Sequence, residues 1–240
     1  MNQLNIQRKK FIEVINRIKR EKITGSDINL SDIVILYFLD AMLEKIDTII
    51  LLCKNNRSIS AEGMCRAFVE MFFYLSYILK EDTEKRCKAF YIKSVFYDEN
   101  ELITDIRKYV SPSEVLQNSL LQKIHTDQEK EKNEADKVYR ELFDYKKTNG
   151  KEQQPWYNFD KNTRNIWDLC KYIGEREKYD LMYKYFSKSV HGTNRLKNFV
   201  IDIEKRDIKY GSPDSKAVTA ALKTIIPEIL EKIKEYYTID

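Results

Sequence analysis

The chain has 240 residues, 42% of them hydrophobic and 33% charged, which supplies a real core and excludes wholesale disorder. Only 6 glycines and 4 prolines occur, too few for the many turns of a sheet-rich protein, so long helices with few loops are expected. The 42 basic and 38 acidic residues leave a formal charge of +4, short of the dense basic surface of a dedicated duplex-DNA binder.

In chain order, Phe11, Ile15 and Ile18 predict a short amphipathic first helix ended by Thr24 and Gly25. Ser31 is expected to cap a long second helix whose apolar stripe is Ile33, Leu36, Tyr37, Leu43, Ile46, Ile50 and Cys53. Asn55, Asn56, Arg57 and Ser58 should break it. A third helix over 60–79 carries apolar side chains in nearly every direction, including Met64, Cys65, Phe68, Val69, Phe72, Phe73 and Ile78. A helix apolar all round belongs at the centre of its bundle. Arg66 and Glu70 are the only charges between Met64 and Leu79. A fourth helix is expected near 83–97.

Ser111 as N-cap, Pro112 at the first helical position and Glu114 two residues on form a strong start signal for a long helix over 111–147. Its middle, 125–137, is almost entirely polar and cannot pack deeply, so it reads as a charged arm or solvated link. His125 sits in that arm. The stretch 148–158, with Gly150 and Pro155, is the clearest loop and internal boundary. Beyond it, Ile166, Trp167, Leu169, Cys170 and Ile173 mark a helix ended by Gly174, and another helix runs over 177–191 to Gly192. Ser212 and Pro213 should open a final helix with Ala217, Ala220, Ala221, Ile225, Ile229 and Ile233 as its stripe and Pro227 as a kink. The expectation is an all-α helical bundle forming one domain over 1–240. Its parts are N-terminal helices (1–110), a partly projecting helix (111–147) and C-terminal helices (159–240).

Cys53, Cys65, Cys87 and Cys170 stand alone without a C-x-x-C pair, as in a reducing compartment. The polar, charged first ten residues are unlike a signal peptide, and the apolar run 68–79 is too short to span a bilayer. A cytoplasmic protein with no membrane partner is expected. No phosphate-binding glycine loop, H-E-x-x-H or E-x-x-H motif occurs, so neither a metal nor a cofactor is expected.

Polar residues in apolar surroundings point to one candidate site. Tyr183, Ser187 and His191 recur every four residues and line one helix face, flanked by Tyr179 and Val190, so that face should turn to the core. Arg66 and Glu70, one turn apart, can form an ion pair from the third helix. Polar groups in an apolar setting need partners, so the two sets are expected to meet. Glu70 would then accept from His191 and raise its pKa, with Arg66 as a fixed positive charge. Networks of this composition also serve purely to specify packing, and both readings stay open at this level.

The segments Met64-Cys-Arg66-Ala-Phe-Val-Glu70, Gln154-Pro-Trp156 and Tyr183-x-x-x-Ser187-x-x-x-His191-Gly192 together resemble a widespread bacterial family of unknown function. That family pairs an R-x-x-x-E helix with a late S-x-x-x-H helix end after a P-x-W loop. It is similar to the HEPN superfamily of helical bundles, many of them metal-independent ribonucleases of toxin–antitoxin and anti-phage systems. The resemblance implies a homodimer acting on RNA, with His191 as general acid or base and Arg66 and Lys188 facing the phosphate. Glu70 would orient His191, Ser187 would donate a hydrogen bond, and Lys184, Tyr183 and Asn194 would bind. Nuclease members carry an arginine four to six residues before the histidine. Upstream of His191 this chain has Lys184 and Lys188 and no arginine, so one of them, or Arg66, must supply the cation. The other reading is a non-catalytic helical interaction or sensor module that binds a partner chain through the arm 125–137.

Overall fold

The computed structural model describes residues 2–24, 28–97, 137–138, 141–142, 155–158, 163–190, 199–210 and 215–239. The fold is mainly helical. The chain divides into two compact units, Met1–Glu81 with Leu169–Asp240, and Asp82–Asp168.

In the first unit, α1 (Asn2–Thr24) buries Leu4, Phe11, Val14, Ile15 and Ile18, the three- and four-residue spacing expected of an amphipathic helix. Helix α2 (Leu30–Lys54) starts two residues earlier than expected, because Asn29 rather than Ser31 is its cap. The Asn29 side chain accepts from the Asp32 amide at 3.0 Å and the Asp32 carboxylate accepts from the Asn29 amide at 3.2 Å. This reciprocal box satisfies two donors that the first turn leaves without helical partners. Leu36, Ile46 and Ile50 of the expected stripe are buried, but Ile33 and Tyr37 are exposed, and Val34, Ile35, Phe38, Leu39, Met42 and Ile49 are packed as well. Packing against α1 and α3 widens the buried face beyond the expected stripe.

Helix α3 (Ser58–Lys80) follows a tight turn at Asn55 and Asn56, where Asn56 takes φ +55°. It packs against α2 and against two later helices, the central position its all-round apolar surface predicted. Phe68, Phe72 and Phe73 are fully buried, each worth roughly 2–3 kcal/mol of apolar transfer. After α3 and the second unit come the end of α5 (Ile166–Ile173), Gly174 at φ +82°, and the short α6 (Arg176–Lys178). A π-helical segment, Tyr179–Tyr183, then leads directly into α7 (Lys184–Val190), which packs on α3.

Strands β1 (Phe199–Asp202) and β2 (Asp207–Tyr210) pair antiparallel, with Phe199 opposite Tyr210 and Asp202 opposite Asp207. This hairpin has no counterpart among the helices expected from the sequence. Helix α8 (Lys216–Tyr237) begins at Lys216 and continues through Pro227. Its packed face is Val218, Ala221, Leu222, Ile225, Ile226, Ile229, Leu230 and Ile233, whereas Ala220, expected on that stripe, is exposed. It lies against α1 and α3.

In the second unit, α4 (Thr83–Tyr91) passes into a π-helical stretch, Ile92–Tyr97. Trp156, in a turn after Pro155, meets Phe90 edge-on at 5.2 Å. Most of the helix expected over 111–147, with His125 and all of the arm 125–137 but its last residue, lies outside the described residues, as does most of the loop 148–158. None of the described helices is long and apolar enough to cross a membrane.

Candidate functional site

The site is built where α3 crosses the π-helical segment and α7. Arg66 and Glu70 project from one side of α3, and the guanidinium Nη1 stands 3.1 Å from the Glu70 carboxylate. From the facing helix, the Tyr183 hydroxyl accepts from Arg66 Nη2 at 2.6 Å and Ser187 Oγ accepts from Arg66 Nε at 3.3 Å. All three guanidinium nitrogens are therefore held by protein partners. The Tyr183 ring also lies under the guanidinium, 5.0 Å from Arg66 Cζ. Of the facing set, Tyr183 and Ser187 meet Arg66.

Three features correct the expectation. Arg66 and Glu70 are not deeply buried: their side chains keep 31% and 23% of their exposure, so the cluster reaches solvent. Val190, expected to flank a core-facing stripe, is 45% exposed. Glu70 pairs with Arg66 through one oxygen and on the other accepts, at 2.9 Å, from the Tyr74 hydroxyl, a partner the sequence reading did not name. His191, placed beside Glu70 from the sequence, lies outside the described residues, as does Asn194.

Tyr183 is the side chain that joins the site to the core. It stacks on Tyr179 with ring centroids 5.3 Å apart and planes 19° from parallel, and it meets Phe73 at 6.2 Å. The wider turn of a π-helix brings side chains four apart closer to register, which suits face-to-face stacking. Burial raises the Tyr183 phenol above its ordinary pKa and the nearby Glu70 charge adds to this, against the opposing pull of Arg66. The hydroxyl is thus protonated at neutral pH. Its oxygen already accepts from Arg66, so its hydrogen points elsewhere, and among the described residues it meets no acceptor. The same holds for Ser187.

The lysines divide. Lys184 pairs with Asp180 at 2.6 Å and lies over the Tyr179 ring at 5.4 Å. Lys188 is exposed on α7. Next to the site, Tyr185 donates to Glu62 across the α3–α7 contact at 3.4 Å, and burial raises the Tyr185 phenol.

A second polar cluster escaped the sequence reading. Lys178 bonds Glu175 at 2.6 Å and Glu228 of α8 at 2.9 Å, while Lys232 stands 3.6 Å from Glu175 and 3.7 Å from Glu228. Glu175 is buried, and that burial raises its carboxyl pKa, with a hydrogen bond shared with Glu228 adding to it; burial would raise Glu228 too, but hydrogen bonds with Lys178 and Glu175 lower it. The signal available was the i,i+4 spacing of Glu228 and Lys232, but nothing in the sequence pairs them with residue 175.

None of the four cysteines forms a disulfide; Cys65, Cys87 and Cys170 are buried and Cys53 half-buried. Burial pushes the Cys65 and Cys170 thiols well above their ordinary range, the behaviour of packed side chains rather than nucleophiles. Among the described residues no cluster of histidine, cysteine and carboxylate side chains could hold a metal ion.

No curated protein and no solved structure matches the chain. A family match does exist, and it spans α2, α3, α7 and the hairpin, hence every described residue of the Arg66 cluster. Over residues 32–209 the sequence matches a family of unknown function, DUF5677, and the chain belongs to that family.

Proposed function

We propose that the chain is a metal-independent, HEPN-like endoribonuclease, a toxin-type effector of bacterial stress response or anti-phage defence that works as a cytoplasmic homodimer. One observation carries this reading. Two hydroxyls one helical turn apart, Tyr183 and Ser187, both accept from a single guanidinium, which leaves both hydrogens to be donated outward. Paired, polarised donors of this kind suit the non-bridging oxygens of a phosphodiester, whose negative charge grows in the transition state.

Arg66 takes a different part from the one the sequence suggested. Glu70 balances its charge, so it acts as a positioning residue that polarises the hydroxyls. In the reaction, the RNA 2′-oxygen bonds to phosphorus as it loses its proton to His191. The bond from phosphorus to the 5′-oxygen breaks, and that oxygen takes up a proton. His191 is the residue directly after the last of α7, and its role rests on the resemblance. Lys188 would add positive charge to the same face.

The test is cleavage of a fluorescent RNA by the purified chain in excess chelator. Cleavage is expected to persist without metal, to vanish in His191→Ala at unchanged melting temperature, and to fall in Tyr183→Phe. A chain that leaves every RNA tried intact overturns the reading. A second reading is favoured by the fact that every guanidinium nitrogen is already bonded: Arg66 as a clamp that fixes α7 on α3 in a non-catalytic interaction or sensor module. It predicts no cleavage and loss of partner binding when 125–137 is deleted.

A further inference from the structure

A cavity of about 350 Å³ lies between the last turns of α3, the end of α5 and the C-terminal half of α8, lined by Ser76, Leu79, Lys80, Ile173, Lys232, Glu235 and Tyr236. Its size is at the lower end of small-molecule sites. Three of its polar groups lack hydrogen-bond partners among the described residues. Ser76 is 4% exposed, yet its Oγ bonds nothing, not even the helical carbonyl that a buried serine commonly uses. Leaving a buried hydroxyl unsatisfied is costly and calls for a physical cause. The Lys232 ammonium stands 3.6 and 3.7 Å from its carboxylate neighbours, too far to donate to them. The Glu235 carboxylate, exposed at the rim, has no cation or donor beside it.

Lys80 adds a second ammonium. One of its hydrogens goes to the Tyr172 carbonyl at 2.5 Å, and two remain. The lining therefore offers ammonium donors, an acceptor with no donor, a buried hydroxyl, and apolar and aromatic surface from Leu79, Ile173 and Tyr236. A bare anion would leave Glu235 unanswered, and an apolar ligand would leave Lys80 with the Tyr172 carbonyl and Lys232 with its longer ion pairs to Glu175 and Glu228.

We propose that this cavity binds a small phosphorylated metabolite of nucleoside monophosphate type, its phosphate between Lys80 and Lys232, a hydroxyl or amino group on Glu235, and its flat portion against Tyr236, Leu79 and Ile173. Lysine serves such sites as a point charge on phosphate. The cavity shares no lining residue with the Arg66 cluster, so this inference stands or falls independently of RNA cleavage.

The experiment is isothermal titration of the full chain with 5′-AMP, adenosine and inorganic phosphate. AMP is expected to bind saturably, and adenosine and phosphate at least about tenfold more weakly. Glu235→Gln and Lys232→Gln should each weaken AMP binding about tenfold. Ser76→Ala should weaken it less, and should raise the melting temperature without AMP, because it removes an unsatisfied hydroxyl. Absence of saturable AMP binding overturns the proposal, and so does AMP binding unchanged in both Glu235→Gln and Lys232→Gln. Adenosine binding as tightly as AMP overturns the phosphate assignment. Since Glu235 is exposed, Glu235→Gln gives a folded variant even if Lys232→Gln disturbs Glu175 and Glu228.

Discussion

Arg66 of α3 donates to the Tyr183 hydroxyl at 2.6 Å, and the same guanidinium lies 5.0 Å above that residue's ring, so one cation ties two helices by a hydrogen bond and by its charge. Arg66→Ala would leave Glu70 with only Tyr74 and remove the common donor of Tyr183 and Ser187. Loss of about 1–3 kcal/mol is expected in urea denaturation, and Tyr183→Phe should cost about 1 kcal/mol. The double variant should cost less than the sum, with a coupling of about 1 kcal/mol. Additive losses would show that the two side chains do not depend on each other.

Lys178 bridges two carboxylates from different elements. Burial alone would lower its pKa, but the hydrogen bonds to Glu175 and Glu228 outweigh this and raise it. A raised ammonium contributes in full below its ordinary value and loses its contribution only as pH rises through the alkaline range. Lys178→Met leaves Glu175 and Glu228 with only the more distant Lys232 between them, and should cost about 2 kcal/mol near neutral pH. The cost should shrink in acid, because the raised Glu175 carboxyl takes up a proton there and the repulsion ends. Melting temperatures of variant and parent across that range would check the sign.

The thiols also weaken the fold as pH rises. Cys65 and Cys170 stay protonated in the folded chain while the unfolded chain ionises near the ordinary 9.0. Unfolded protein then holds fewer protons, so stability should fall above that pH, by up to about 1.4 kcal/mol per pH unit per thiol. With a thiol reagent at neutral pH, Cys53 should react first, and Cys65, Cys87 and Cys170 only on unfolding.

Two backbone devices should be separable from packing. Asn29→Ala removes the α2 capping box and should cost about 1 kcal/mol. Gly174 takes φ +82° with open space where a Cβ would stand, so Gly174→Ala should cost about 1 kcal/mol through backbone strain alone. A loss several times larger at Gly174 would mean that a side chain there also meets a neighbour.

The sequence by itself determined the helical class, the central place of α3 and the pairing of Arg66 with Glu70. Each rests on spacing along a single helix, where 3.6 residues per turn fixes which side chains are neighbours. That the Arg66 set meets Tyr183 and Ser187 was also legible, because stranded polar groups must find partners. Only the tertiary structure decided the rest. Val34, Phe38 and Met42 won burial over Ile33 and Tyr37, since both sets have helical spacing and only the packing of α1 and α3 distinguishes them. Glu175 and Glu228 share Lys178 although the chain separates them by more than fifty residues, and the open cavity beside Ser76 depends on where three helices end. These relationships form between elements, where no local periodicity fixes the distance.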